Sequence, residues 1–161
     1  MTDKIVKITD IEKIAQKLHA EKKRIVLAGG CFDLLHIGHI IFLEDAKKQG
    51  DILIILLESD ETITASKGDN RPINSQEIRA KILAALSVID FVIPLEPHMQ
   101  NSDYDKLIAA LKPAVIATTK GDPTRYHKER QAAEIGAKVI DVTPQILDKS
   151  TTKLVNLLKE L

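Results

Sequence analysis

Two histidines three residues apart, His36 and His39, bracket a glycine in the stretch Gly29-Gly30-Cys31-Phe32-Asp33-Leu34-Leu35-His36-Ile37-Gly38-His39. Imidazole donates a hydrogen bond to a phosphoryl oxygen and, when protonated, stabilises charge that grows there. Glycine lets the backbone approach a ligand closely. A lone histidine at a helix start is most often a cap or a surface residue. Glycines, an aspartate and two histidines within so short a stretch point instead to a polyphosphate.

The neighbouring elements must hold that geometry. Ile25-Val26-Leu27-Ala28 carries two β-branched residues and ends at the glycines, which predicts a buried strand entering a tight turn. Residues 40–48 follow as a helix. Strand, glycine turn and helix together present free N–H groups and the positive end of a helix dipole, a place for an anion.

Elsewhere the chain alternates. A helix is expected over 11–21 behind the cap Thr9-Asp10, with His19 off its apolar stripe, and the apolar run 52–57 predicts a strand covered on both faces. Residues 58–72 read as a polar loop. A helix from Asn74 or Ser75 has Ile78, Ile82, Ala85 and Leu86 as its apolar side. Strands are expected at 88–93, 114–118 and 138–142, and helices at 103–111, 125–135 and beyond Ser150-Thr151-Thr152-Lys153. This pattern predicts an α/β, Rossmann-like, five-stranded and mostly parallel sheet with helices on both faces. One domain over 1–161 is expected, with a helical N-terminal extension at about 9–22.

Lysine plus arginine number 23, as do aspartate plus glutamate, so the formal charge is zero. That balance argues against a broad footprint for nucleic acid or for a membrane surface. The single cysteine, Cys31, excludes an internal disulfide and reads as a small residue beside a glycine turn rather than a nucleophile. No apolar segment approaches a membrane span, and a cytoplasmic location is expected.

The element His36-Ile37-Gly38-His39 resembles the signature of the cytidylyltransferase-like nucleotidyltransferases, a His-x-Gly-His element just after the first strand. In that family the histidines contact the phosphates of a nucleoside triphosphate while a phosphorylated acceptor attacks the α-phosphorus and pyrophosphate leaves. Class I aminoacyl-tRNA synthetases share the element but are far longer. Lys67-Gly68-Asp69-Asn70-Arg71-Pro72-Ile73-Asn74, followed by Glu77 and Arg79, looks like the segment after the second strand in sugar-phosphate adenylyltransferases of the ADP-heptose synthase type. Thr119-Lys120-Gly121-Asp122 is similar to their Lys-Gly-Gly-Asp segment, with one glycine missing. Ser150-Thr151-Thr152-Lys153 resembles the element that closes the family's nucleotide site.

The resemblance implies catalytic roles for His36, His39 and Lys67. It implies nucleotide contacts from Gly30, Cys31, Phe32, Asp33, Gly38, Lys120, Gly121, Asp122, Ser150, Thr151 and Thr152, and acceptor contacts from Arg71 and Arg79. ATP or CTP, a phosphorylated small molecule and Mg²⁺ are the implied ligands. Asp33 stands as either a metal ligand or a turn contact, and no other residue carries a metal motif. Segment 143–148 holds no arginine, unlike many glycerol-3-phosphate cytidylyltransferases, which favours a sugar 1-phosphate such as heptose 1-phosphate. A non-catalytic nucleotide sensor, a homodimer and fusion to a sugar kinase are compatible with the same residues.

Overall fold

The apolar runs become strands because β-branched and leucine side chains, buried on alternate faces, satisfy both sides of a covered sheet. The computed structural model describes residues 4–143, so Ser150, Thr151, Thr152 and the final expected helix lie outside the described residues. Within them the chain runs α1 (Ile11–Ala20), β1 (Ile25–Gly30), α2 (Ile37–Lys47), β2 (Ile52–Leu57), α3 (Asp60–Lys67), α4 (Gln76–Ala84), β3 (Phe91–Pro94), α5 (Asn101–Leu111), β4 (Val115–Thr119), α6 (Arg125–Ile135) and β5 (Lys138–Thr143).

The five strands form one sheet in the order β3-β2-β1-β4-β5, and every pairing is parallel. Alternation divides the core in two. Val26, Ala28, Leu53, Ile55 and Val92 meet Leu43 of α2 and Leu83 of α4 on one face. Ile25, Leu27, Ile54 and Ile93 meet α1, α5 and α6 on the other. The N-terminal helix is thus part of the second core, through Ile11, Ala15 and Leu18. Before it, Ile5 makes a single parallel bridge to Val92 at the sheet edge.

Sequence order reverses direction between β1 and β4, the crevice where doubly wound sheets take their ligands. The two strands pair only at Val26 with Val115 and Leu27 with Ile116, whereas β1 pairs with β2 along its whole length. Beyond Leu27 a cleft opens between β1 and β4.

Three expectations are corrected. The segment 58–72 is not all loop, because Ser59 caps α3 by accepting the Thr62 N–H, and Asp60 and Glu61 occupy its first turn. Only Ile63 of α3 is buried, so no apolar stripe marked it. On α4 the buried residues are Arg79, Ala80 and Leu83, while Ile78 and Ile82 are 48% and 39% exposed. The third strand starts at Phe91 rather than Val88: the Asp90 carboxylate accepts from Lys47 and from the Leu53 backbone N–H, which holds the approach to β3 as a turn.

Candidate active site

The cleft has a volume of about 800 Å³ and lies across the carboxyl ends of β1, β2 and β4. Its centre is the turn between β1 and α2. Phe32 is buried with a φ of 44°, folding its ring back so that a Cβ on Gly30 would lie 3.1 Å from Phe32 Cε2. A side chain at position 30 would press on the Phe32 ring, which would have to give by a few tenths of an ångström, and that ring in turn packs 5.4 Å from the His39 ring.

His36 is the N-cap of α2. Its Nδ1 accepts the Gly38 N–H at 3.1 Å, which leaves the proton of the neutral ring on Nε2, free to donate. The His39 ring lies 3.9 Å from that of His36, and its Nδ1 is buried without a partner among the described residues. Burial lowers the pKa of both, that of His39 to about 4, with His36 and Lys67 adding to the shift. Both imidazoles are neutral donors at pH 7 in the free protein, so their charge appears only if a bound anion raises these values.

Lys67 ends α3, and Gly68, with φ 94°, terminates the helix behind it. The lysine is exposed and lines the cleft with His36 and His39. Gly30, Cys31, Phe32, Gly38 and Asp122 also reach the cleft wall. Lys120 and Gly121 are not among the residues of the wall: both are exposed, and the Lys120 N–H donates to the Thr143 carbonyl.

Asp122 is fastened rather than free. It accepts from Thr118 Oγ1 at 2.6 Å, from the Thr124 N–H and hydroxyl at 2.8 and 2.7 Å, and from Lys128. Burial works against its charge, but these donors outweigh it and hold the carboxyl well below the usual range. It shapes the turn after β4 that presents Thr118 and Thr119 to the cleft.

The structure does not place Asp33, Arg71 and Arg79 on the cleft wall. Asp33 is 2% exposed and accepts from Arg71 Nε at 2.7 Å and from the backbone N–H groups of Ile73 and Asn74. Burial opposes its ionisation, yet those bonds lower its pKa. Both of its oxygens accept from these donors, which is the turn contact. Among the described residues, no group of three His, Cys, Asp or Glu side chains could hold a metal ion.

Arg71 points at Asp33, and its second terminal nitrogen is buried with no partner among the described residues. Arg79 is fully buried. It donates to the carbonyls of Asn74, Cys31 and Glu58 at 3.0, 2.5 and 2.8 Å and to Asp60 Oδ1 at 2.7 Å. The acceptor role expected for Arg79 gives way to a structural one: it ties the ends of β1 and β2 to α3 and α4.

Residue spacing did not single out Glu58, Tyr104 or Lys128, yet all three line the cleft. Glu58 directly follows β2, so the rule that parallel sheets bind at their carboxyl edge was the available signal. Glu58 Oε2 accepts from Tyr104 Oη at 2.9 Å. Burial raises the Glu58 pKa against the Tyr104 bond and the charge of Arg79. Burial, and then Glu58 itself, also pushes the tyrosine upward.

A family model described as cytidylyltransferase-like matches residues 27–155. The chain is 38% identical over 151 residues to the bifunctional protein HldE of Aliarcobacter butzleri, covering 94% of this chain and 30% of that protein. It is 39% identical over 155 residues to the bifunctional protein HldE of Nitratiruptor, covering 96% and 32% respectively. The chain thus spans about a third of the length of these relatives. A lipopolysaccharide core biosynthesis protein of Thermoplasma volcanium superposes with a TM-score of 0.62 at 27% identity, over 76% of this chain and 97% of that one. Pantoate-beta-alanine ligase from Francisella tularensis, at 18% identity and a TM-score of 0.61, covers 98% of this chain and 78% of its own, and shares the fold. The Rossmann-like architecture expected from the alternation of elements is the one observed.

Proposed function

Because the chain belongs to the cytidylyltransferase-like family and is a nucleotidyltransferase, we propose that it transfers an adenylyl group from ATP to a sugar 1-phosphate, such as heptose 1-phosphate, with release of pyrophosphate. The observation that carries this reading is the convergence of His36, His39 and Lys67 with the glycine turn on one cleft at the crevice between β1 and β4. The segments around Lys67 and Lys120, which resemble the ADP-heptose synthase type, and the HldE relatives favour a sugar phosphate as acceptor.

A phosphate oxygen of the acceptor attacks the α-phosphorus in line; the new P–O bond forms as the bond to pyrophosphate breaks. The nucleophile is already an anion, so no covalent enzyme intermediate is needed. The protein aligns two polyanions and offsets their repulsion. His36 and His39 donate to phosphoryl oxygens beside the positive end of α2, and Lys67 adds a full charge. Each side-chain donor contributes about 3 kcal/mol on the scale known for oxyanion donors, whereas a helix end contributes roughly 0.3 to 1 kcal/mol. The side chains therefore carry most of the effect. Mg²⁺ belongs to this reading as the companion of the triphosphate, which Mg²⁺ binds through phosphate oxygens.

Among the described residues, no helix is long and apolar enough to cross a membrane. A cytoplasmic location, where ATP is available, is part of the proposal, and neither nucleic acid nor a second copy of the chain is required by it.

The test crosses ATP and CTP with heptose 1-phosphate, glycerol 3-phosphate, FMN and phosphopantetheine and detects pyrophosphate. Fastest release with ATP and the sugar 1-phosphate is expected. Preference for CTP with glycerol 3-phosphate would replace the reading with glycerol-3-phosphate cytidylyltransferase. Nucleotide binding with no pyrophosphate from any pair would leave a non-catalytic sensor.

A further inference from the structure

A cleft that receives two polyanions has an evident use for cations and none for a carboxylate, whose charge repels both. Glu58 nevertheless lines it. The residue is held from three directions. Its N–H donates to the Gly30 carbonyl at 3.2 Å, its carbonyl accepts from Arg79 Nη2 at 2.8 Å, and its Oε2 accepts from Tyr104 on α5. Its Oε1 has no partner among the described residues, and no lysine or arginine among them forms an ion pair with the carboxylate. An ionised carboxylate only accepts hydrogen bonds. What it offers a phosphorylated ligand is an acceptor for hydroxyl groups.

Two ligands could bring hydroxyls, and the sheet separates them. Strand order places β2 and β4 on opposite sides of β1. The slot where β1 and β4 part is the nucleotide's crevice by the switch-point rule. Glu58, at the end of β2, lies on the other flank, with Tyr104 and Asn101 of α5 beside it in the cleft wall. That flank is left for the acceptor.

We propose that Glu58, positioned by Tyr104, accepts hydrogen bonds from hydroxyls of the phosphorylated acceptor and so selects a polyol or sugar phosphate over phosphates poor in hydroxyls. This inference rests on the function proposed above. A hydrogen bond to a charged group is worth roughly a ten- to hundredfold change in affinity.

The test compares wild type with Glu58→Leu, Glu58→Gln and Tyr104→Phe. Acceptor KM is measured with a sugar 1-phosphate and its deoxy analogues, and nucleotide KM with ATP and 2′-deoxy-ATP. Glu58→Leu is expected to raise the sugar-phosphate KM about ten- to hundredfold, to abolish discrimination against the deoxy analogue, and to leave the ATP KM within about twofold. Tyr104→Phe should raise the same KM less and leave the hydroxyl preference in place. If Glu58→Leu does not fold, Glu58→Gln carries the comparison, with a smaller rise expected because its amide oxygen still accepts. An unchanged hydroxyl preference overturns the proposal, as does an effect confined to ATP and lost with 2′-deoxy-ATP, which would assign Glu58 to the ribose. If wild type releases no pyrophosphate from any pair, the proposed function fails while this inference is still decided. Calorimetric binding of glycerol 3-phosphate and propyl phosphate to wild type and Glu58→Leu then shows whether the carboxylate reads hydroxyls.

Discussion

His36 and His39 lie ring beside ring, their centroids 3.9 Å apart and their planes tilted by 30°. Burial, this neighbour and the charge of Lys67 bring the His39 pKa down to about 4. The unfolded chain binds a proton here below about pH 6.5 and the folded chain only below about 4, so folding releases a proton between those values. The contribution of the neutral ring is complete above pH 6.5 and falls as pH drops through this window, by up to about 3 kcal/mol. Urea unfolding of wild type and His39→Gln at pH 7.5, 5.5 and 4.5 checks the sign: the variant should gain stability relative to wild type as pH falls.

Removing the His39 ring should damage turnover more than binding, because its donor matters most as charge grows on the phosphoryl oxygens. His39→Ala is expected to lower kcat by about a hundredfold or more with only a modest loss of nucleotide affinity. Steady-state kinetics paired with calorimetric ATP binding measures both.

Lys67 is exposed at the end of α3, and the described structure assigns it no hydrogen bond or ion pair. Lys67→Met should leave the melting temperature nearly unchanged and lower kcat/KM by about a hundredfold, on the scale of one lost charge contact in the transition state. It should also move the His39 titration upward, because its charge helps to hold that pKa down. Imidazole proton resonances followed against pH report that movement without any substrate.

For Arg79 the expected loss is of stability. Replacing it with Met strands the carbonyls of Cys31, Asn74 and Glu58 at the junction of β1, β2, α3 and α4. Each carbonyl left without its donor costs about 1 to 3 kcal/mol, whereas Asp60, 39% exposed, can be solvated. Denaturant unfolding should show that loss. A variant of normal stability with only a raised acceptor KM would restore the acceptor role.

Asp33 and Arg71 make a buried pair, 2.7 Å from carboxylate oxygen to Nε. Asp33→Asn should cost about 1.5 to 3 kcal/mol, the range for hydrogen bonds to a charged group, and should leave the Mg²⁺ dependence of catalysis unaltered. The lowered carboxyl pKa makes this contribution complete above about pH 4 and lost as pH falls through the folded value. Metal titrations of wild type and variant, run beside denaturation at pH 7 and pH 3, separate the two roles.

The strands and the glycine turn were legible because their signals are local. Ile25 to Gly30 and Ile52 to Leu57 are continuous apolar runs, and the paired histidines announce their helix start within a few residues. Helix α3 was not, since one buried isoleucine gives no period to read, and Ser59 and Asp60 resemble ordinary loop residues until the chain closes around them. The surroundings of Arg71 and Arg79 were hidden for a related reason. The acceptor roles came from the resemblance, and only packing places the partners of these cations, Asp33 and the Cys31 carbonyl, 38 and 48 residues upstream.

What the amino-acid order determined by itself was the sheet's composition, the alternation with helices and the pairing of His36 with His39 at the turn after β1, because periodicity and spacing act over a few residues. Which charges face the cleft was decided by tertiary structure alone. Burial and hydrogen bonding depend on contacts between distant segments, and they divide Lys67 and Glu58, which line the cleft, from Asp33, Arg71 and Arg79, which are buried in ion pairs away from its wall.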